Sequence, residues 1–369
     1  MTGKLTIRDI ARIAGVSTAT VSRVINQKPD VDLSTRERVL HIMEEHGFVP
    51  SIAASGLRKR SRLLGALVPS LTWPLIPELM RGVGEIVGNT SYELILYSIT
   101  DVNHEKDRSE VIDRIVGTRL VAGLLAVFPG PSAKHLAELH SPDFPVLLID
   151  DQGIPSEETP WISVDNRFGA YEATRHLIRL GHRRIAHIQG PCKYQVSHDR
   201  YQGYCDALNE AGIAPDPLLV REGDFMPQTG RSCANAFFDL PVAQRPTAIF
   251  AGSDYMAYGA IAAAEQRGFR VPEDIAVVGF DDNPSSAHME PPLTTVRQPF
   301  YEMGRRATEI LLSLVDSPRH MNGLSSNGHN RDAASSFFSE PIRIKMPTSL
   351  IVRTSCGASR GASHSATIQ

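Results

Sequence analysis

The sequence predicts two kinds of fold in one chain, a short all-α module followed by a larger α/β core. Three observations support this prediction: helical spacing of apolar residues before residue 60, alternating strand-like and helix-like segments after residue 62, and an uneven distribution of charge. Residues 1–60 hold ten Lys or Arg and six Asp or Glu, whereas the whole 369-residue chain has a net charge of −3. A basic module on an acidic body is typical of nucleic-acid-binding proteins, although uneven charge also arises by chance.

Composition excludes several classes of protein. The chain contains no run of about 18 apolar residues, so we expect no membrane span. It begins with a charged helical pattern and no apolar segment, so we expect no secretory signal and a cytoplasmic protein. The four cysteines are scattered and form no C-x-x-C pair, which argues against a disulfide framework, a zinc ribbon or a thioredoxin-type redox site.

The all-α module is predicted to contain three helices. The first has one apolar face, ends at Gly15, and buries Ile7, Ile10, Ala11 and Ala14. Ser17 is a good N-cap for the second helix, which runs from Thr18 to about Ile25. The third is predicted to start at a capping box of Ser34 and Glu37 and to end at Gly47, with a core stripe of Val39, Ile42 and Met43.

A helix, a tight glycine turn and a second helix form the layout of a helix-turn-helix. The outer face of the second helix is slim enough for the major groove, since it carries Thr18, Ala19, Ser22 and Arg23. Arg23 could pair with guanine, and Thr18 or Ser22 with base edges or phosphate. From the pattern alone, an ordinary three-helix bundle with a polar face is an equally good interpretation.

Residues 50–60 form about two predicted helical turns without a core of their own. We expect a partner to order this segment, because Leu57 would otherwise be an exposed apolar side chain beside Arg58, Lys59 and Arg60. A leucine wedge between base steps of a minor groove, with the cations on flanking phosphates, would account for that combination.

Residues 6–26 (TIRDIARIAGVSTATVSRVIN) closely resemble the DNA-binding headpiece of the LacI/GalR family of transcription factors. The resemblance continues through the third helix and the hinge. It implies that bases are faced by Thr18, Ala19 and Arg23. It implies that phosphate is anchored with the help of Ser17, Thr20 and Asn26.

The same resemblance assigns roles in the hinge. It implies that Leu57 intercalates and that Ala54 packs at the groove. The hinge departs from the family pattern at two positions, Ser55 where arginine is frequent and Gly56 where serine is frequent.

Beyond residue 62, strand-like runs alternate with helical patterns. The strand-like runs cover residues 63–69, 92–98, 122–128, 146–150, 162–164, 184–189, 247–252 and 276–280. The helical patterns include residues 105–116, 168–180, 201–211 and 256–267. This alternation predicts two doubly wound parallel sheets, at about 62–161 and 164–290, with a ligand cleft at the carboxyl ends of their strands.

The family resemblance also extends over this core, to about Val352, through residues 180–186, 200–204, 278–282 and 292–296. It implies the periplasmic-binding-protein fold, with one core subdomain of 62–161 plus 293–316 and another of 164–290 plus 342–353. Residues 317–340 and 354–369 are predicted to be disordered, because they are polar and lack periodicity. His320 and His329 lie there without the spacing of a metal site, and we predict neither metal nor cofactor.

Polar residues at strand ends predict a small-molecule site. Asp150, Ser253, Asp254 and Asp281 each follow an apolar strand, and Arg200 is predicted to open the helix after strand 184–189. An aromatic face suits the C–H side of a sugar, and Asp with Arg suits its hydroxyls. The resemblance implies that Arg200 and Asp281 bind a polyol and that Phe225 stacks on it. It also implies a pocket lined by Trp73, Ile76, Asp150 and Ser253. Helix N-capping explains Asp165 and Asp254 at least as well.

The sequence therefore predicts a dimeric transcriptional repressor that reads a near-palindromic operator and is switched by a sugar-like effector. A nucleobase-responsive, co-repressor-dependent regulator is the alternative. A sugar-binding protein of solute uptake fits less well, because it would be exported and lack a basic helical module. We do not expect an enzyme, since the adjacent carboxylates in Asp150-Asp151 and Asp281-Asp282 point opposite ways on a strand and no G-x-S-x-G motif is present.

Overall fold

The computed structural model describes residues 6–25, 28, 30–46, 61–99, 105–118, 120–150, 159–317 and 342–358. The chain divides into two compact units, residues 1–61 and 62–369.

The first unit contains the three predicted helices, α1 (Ile7–Ala14), α2 (Thr18–Ile25) and α3 (Leu33–Glu45). Its small core is built mainly from one face of each helix and comprises Ile10, Ala11, Ala14, Val21, Val24 and Val39. Gly15 has a φ of 66°, the left-handed conformation that lets α1 end within one residue. The Ser17 hydroxyl accepts the Thr20 amide hydrogen at 3.0 Å, so the predicted cap of α2 is confirmed.

The predicted start of α3 was wrong. Asp32 is the N-cap, and its Oδ1 accepts from the Thr35 amide at 2.9 Å and from the Ser34 hydroxyl at 2.8 Å. A carboxylate interacts more favourably than a hydroxyl with the positive end of a helix, which favours the earlier start. The predicted end at Gly47 lies outside the described residues, and α3 ends at Glu45.

The second unit contains two six-stranded sheets. The first is parallel throughout and has the order β11-β5-β4-β3-β1-β2. Its strands are β1 (Leu63–Val68), β2 (Glu93–Ser98), β3 (Gly123–Val127), β4 (Val146–Ile149), β5 (Trp161–Val164) and β11 (Arg343–Met346). Its helices are α4 (Ile76–Gly88), α5 (Glu105–Thr118), α6 (Ala133–Leu139) and α11 (Phe300–Val315). Separate apolar clusters cover its two faces, as a doubly wound fold requires.

The second sheet has the order β12-β10-β9-β8-β6-β7 and is parallel except for β12. Its strands are β6 (Ile185–Gln189), β7 (Val220–Glu222), β8 (Ala248–Ala251), β9 (Ala276–Asp281), β10 (Thr294–Arg297) and β12 (Ser349–Ile351). Its helices are α7 (Asn166–Arg179), α8 (Gln195–Glu210), α9 (Pro227–Phe238) and α10 (Asp254–Gln266). Two apolar clusters again cover opposite faces.

The crossovers between the halves differ from the expected ones. β10 pairs with β9, so residues 294–297 belong to the second half and not to the first. β11 pairs with β5 in the first sheet, and only β12 of the predicted strand 342–353 joins the second. β5 extends the first half to Val164. The chain therefore crosses between the halves three times, after β5, β10 and β11. The sequence did not predict these crossings, because strands of three or four residues carry too little pattern to reveal their partners.

The expected disorder from residue 354 was also wrong for the first five residues. Ser355 and Cys356 are buried, and the Ser355 hydroxyl donates to the Val277 carbonyl at 2.6 Å while it accepts from the Thr294 amide at 2.8 Å. Residues 318–341 and 359–369, most of the two predicted disordered segments, lie outside the described residues.

Candidate functional sites: the cleft and the second helix

A cavity of about 300 Å³, here termed the cleft, lies between the two halves of the second unit at the carboxyl ends of their strands. The first half contributes Pro69, Ser70, Trp73, Pro74, Leu75, Phe128, Gly130 and Asp150. The second half contributes Tyr194, Val196, Arg200, Asp224, Phe225, Met226, Ser253, Tyr255, Asp281, Asn283 and Gln298.

Arg200 is the buried cation of the cleft, with 5% of its surface exposed. Arg200 was predicted to open the helix after β6, but it lies in the second turn of α8, which begins at Gln195. Its Nε donates to Asn166 Oδ1 at 2.8 Å, and its Nη1 donates to the Gly252 carbonyl at 2.6 Å. The guanidinium lies 3.8 Å from the centre of the Phe280 ring. These contacts fix the guanidinium before any ligand arrives, although burial lowers its pKa.

Two buried carboxylates accompany this guanidinium. Asp281 Oδ1 lies 3.8 Å from Arg200 Nη1 and accepts from Gln298 Nε2 at 2.7 Å. Asp150 accepts from the Ser163 hydroxyl at 3.0 Å. Burial raises the pKa of both Asp281 and Asp150, while the Arg200 charge opposes that rise. Both residues have a positive φ, 124° for Asp281 and 51° for Asp150, and such strain is frequent at binding sites.

Aromatic side chains from both halves wall the cleft. Trp73 meets Phe128 edge to face, with 5.3 Å between ring centroids and 80° between ring planes. On the other side, Phe225 stacks with Tyr194 at 6.3 Å and 20°. Phe225 has a φ of 69°, and its ring lies against Gly190, where an added Cβ would come within 2.2 Å of the ring. The aromatic walls are therefore held in place by close packing.

The structure brings six of the seven predicted effector residues to the cleft: Trp73, Asp150, Arg200, Phe225, Ser253 and Asp281. Ile76 is the exception, since it begins α4 and is 3% exposed within the apolar cluster of the first half. The first turn of that helix directs Ile76 towards the core. Ser253 has a second role, because its hydroxyl caps α10 by accepting from the Met256 amide at 3.2 Å.

The two aspartates with a capping interpretation behave differently. Asp165 does cap α7, accepting from the Phe168 amide at 2.9 Å. Asp254 does not cap α10; its carboxylate accepts from the Asn283 amide at 2.7 Å and from the hydroxyls of Ser286 and Thr295 at 2.6 and 2.5 Å. Burial raises the pKa of Asp254, and the nearby Asp281 adds to the effect. The Asp254 network ties the loop after β9 to α10 and β10.

Sequence reasoning missed several polar and aromatic residues of the cleft: Tyr194, Asp224, Tyr255, Asn283 and Gln298. A signal for Gln298 existed, because it directly follows the four-residue run of β10. Because residues 293–316 were predicted to belong to the first half, Gln298 was not expected beside Asp281 at the strand ends of the second half. Within the described ranges, His, Cys, Asp and Glu side chains form no group that could hold a metal ion. None of the helices there combines the length and the hydropathy of a membrane span.

The second helix of the first unit presents a polar outer face. Thr18, Ala19 and Arg23 are exposed, whereas Thr20 and Ser22 are half-buried. The Arg23 side chain is 57% exposed, and its Nε lies 3.5 Å from Asp30 Oδ2. The remaining predicted DNA-binding residues, Asn26, Ala54, Leu57 and Arg58, lie outside the described residues.

Comparison with known proteins covers both units. Residues 6–51 match the family of bacterial regulatory proteins described as the lacI family, and residues 174–332 match a periplasmic binding protein-like domain. The transcriptional repressor CytR of Escherichia coli K12 is 35% identical over 309 residues, which are 83% of this chain and 89% of CytR.

Solved structures agree over nearly the whole chain. The complex of the transcriptional regulator CelR with cellobiose is 31% identical, with a TM-score of 0.67, and the match covers 95% of this chain and 99% of CelR. The lac repressor dimer bound to operator and the anti-inducer ONPF is 28% identical, with a TM-score of 0.77, and the match covers 96% and 99% of the two chains.

Proposed function

Because the chain belongs to the lacI family of bacterial regulatory proteins and is a DNA-binding transcriptional regulator, we propose that it is a repressor controlled by a sugar-like effector in the cleft. It acts in the cytoplasm as a homodimer on a near-palindromic operator. The solved lac repressor, a dimer on its operator, supports this assembly.

The observation that carries the effector proposal is the buried Arg200–Asp281 pair between aromatic walls. Guanidinium donors and carboxylate acceptors side by side suit neighbouring hydroxyl groups, which both donate and accept. Phe225 and Trp73 supply apolar faces for the C–H side of a sugar ring. Cellobiose in the CelR complex supports the same ligand class.

The DNA-reading part of the proposal uses α2. Its exposed Thr18, Ala19 and Arg23 face base edges in the major groove, where arginine pairs with guanine. In a homodimer, two such helices related by a two-fold axis read two half-sites.

Effector and operator are coupled through movement of the two halves. The chain crosses between the halves three times, and these crossings act as the hinge. Closure about the ligand then moves one half as a body relative to the other. We expect a coupling of about 1–3 kcal/mol, and both induction and co-repression are compatible with it.

As part of the same proposal, the chain binds its ligand without transforming it. Supporting this, the Asp281 carboxylate accepts from Gln298 Nε2 at 2.7 Å and lies 3.8 Å from Arg200 Nη1, an arrangement suited to accepting a hydrogen bond from a ligand hydroxyl. Incubation with oligosaccharides should give no turnover, and cleavage that is lost in Asp281→Asn would contradict this.

The test combines operator selection with ligand titration. A duplex bound by the full-length protein is selected from a random library, and its affinity is measured at about 0.15 M salt with sugars and nucleobases. We expect a near-palindromic site whose affinity changes several-fold with a sugar. A response to purine bases alone would replace the sugar by the nucleobase alternative, and no sequence preference under any condition would overturn the proposed repressor.

A further inference from the structure

We propose that the cleft selects an uncharged, hydroxyl-rich effector and rejects the phosphorylated or carboxylated forms of the same molecule. This inference rests on the proposed role of the cleft as effector site. It concerns ligand charge, which the family of the chain does not determine.

The charges that line the cleft are mostly negative. The described lining residues include three carboxylates, Asp150, Asp224 and Asp281, and a single cation, Arg200. Asp150 and Asp281 are 4% and 9% exposed, so water screens them poorly. A ligand in the cleft therefore meets a surplus of acceptors, which favours groups that donate hydrogen bonds.

The only cation among the described lining residues already has partners. Arg200 uses Nε for Asn166 and Nη1 for Gly252, and Asp281 balances its charge from 3.8 Å. An incoming phosphate would have to compete with Asp281 for the guanidinium while facing Asp150. A hydroxyl group can instead join the pair, accepting from Arg200 and donating to Asp281.

Asp224 extends the negative surplus to the rim of the cleft. This exposed carboxylate is fixed by the Met226 amide, which donates to its Oδ1 at 2.8 Å. Lys193 is close in sequence to the rim residue Tyr194, but its Nζ lies over that ring, 5.0 Å from the centroid, and Lys193 is not a lining residue. Among the described lining residues, an anion thus finds no unpaired cation.

The main experiment is calorimetry of the full-length protein with matched neutral and anionic ligands: cellobiose and cellobiose 6-phosphate, glucose and glucose 6-phosphate, adenosine and AMP. Each neutral molecule that binds should lose at least about 100-fold in affinity on phosphorylation, the scale of one uncompensated buried charge. A phosphorylated sugar that binds as tightly as its parent overturns the inference and leaves the proposed sugar effector standing. Binding of adenosine but not AMP, with no response to sugars, removes the sugar proposal and supports the charge selection.

A second measurement needs no identified effector. The chain has two tryptophans, Trp73 in the cleft and the buried Trp161, so the variant Trp161→Phe leaves one fluorescent reporter in the cleft. Titration with inorganic phosphate or sulfate at constant ionic strength should give no saturable change. A saturable change abolished by Arg200→Lys would overturn the inference.

Variants locate the source of the selection. Asp150→Asn should reduce the ratio between the affinity for a sugar and the affinity for its phosphate by about tenfold or less. Asp224→Asn, at the exposed carboxylate, should independently have the same effect. Asp206→Asn is the control, since Asp206 lies on α8, does not line the cleft and pairs with Arg167 on the surface. Equal narrowing in the control would show that overall charge, and not the cleft, sets the preference.

Discussion

Two arginines in this chain work in opposite ways. Arg23 on α2 is 57% exposed and has one loose ion pair, with Asp30 at 3.5 Å. Arg200 in the cleft is 5% exposed and is held by Asn166 and Gly252 before any ligand binds. Arg23 is therefore exposed towards a partner, whereas Arg200 is held in place within the cleft.

The contrast separates the energetic roles of the two sites. An exposed arginine contributes little to the stability of the fold, so its removal mainly weakens binding to the partner. A buried arginine depends on its partners, so its removal damages the fold as well as the site. Four experiments test or sharpen that contrast, in order of decreasing effect.

The largest effect is expected from Arg200→Ala. At neutral pH, Asp281 and Asp150 would lose their buried counter-charge, so the free energy of unfolding of the core should fall by about 3–5 kcal/mol and effector binding should disappear. Denaturant unfolding and calorimetry measure the two losses. Arg167→Ala is the control, because the pair of Arg167 with Asp206 is shorter, at 2.6 Å, than the Arg200–Asp281 pair at 3.8 Å, but Arg167 is 58% exposed, so its loss should cost little stability. Similar losses in both variants would contradict the distinction.

Arg23→Ala should weaken operator binding by about 1–3 kcal/mol and relax the preference at one base position without changing stability. Binding to a selected operator and to its single-base variants measures this. Arg12→Ala, at another exposed arginine of the first unit, is the control and should leave the preference at that base position unchanged. An unchanged base preference in Arg23→Ala would remove its reading role.

Gly190→Ala tests whether close packing sets the aromatic wall. The added Cβ would lie 2.2 Å from the Phe225 ring and 2.6 Å from the buried Ser197 hydroxyl, so both side chains must shift; effector affinity should drop about tenfold, and some stability should be lost. In the double variant with Phe225→Ala, the further loss caused by Gly190→Ala should be smaller than in the wild-type background, because only the contact with Ser197 remains. Gly84→Ala serves as control, since nothing lies within 4 Å of its added Cβ. Fully additive losses in the double variant would show that Gly190 does not act through Phe225.

The smallest effect is expected from pH. Burial raises the pKa of Asp281, so protonation of its carboxylate begins at a higher pH than for an ordinary aspartate, and acidification below neutral should weaken effector binding by less than about tenfold. Calorimetry from pH 8 to pH 5 would follow the decline in effector affinity. The variant Asp281→Asn should bind the effector weakly at every pH and show no such decline. Affinity that rises on acidification would mean that the protonated acid donates to the ligand.

Much of this architecture could be read from local pattern. The strands β1 to β4 and the end of α1 at Gly15 followed from apolar periodicity and from a conformation that glycine adopts at low cost. Strand ends located Asp150 and Asp281, because the carboxyl ends of parallel strands meet at one edge of a sheet.

The errors share a different physical origin. The strand partners of β10 and β11, and the direction in which Ile76 points, depend on residues far away in the sequence. Helix N-capping was one predicted role of Asp254, but its carboxylate accepts hydrogen bonds from three donors at positions 283, 286 and 295.

The sequence alone determined the two-part organisation, the helices and strands, the slim outer face of α2 and the residue types at the strand ends, since these depend on neighbours a few positions apart. The long-range contacts of the fold set which half each short strand joins and how Arg200 is shared between Asn166, Gly252 and Asp281. Those outcomes depend on burial and on distances between remote residues, because the strength of a charge interaction is set by its surroundings and not by its place in the chain.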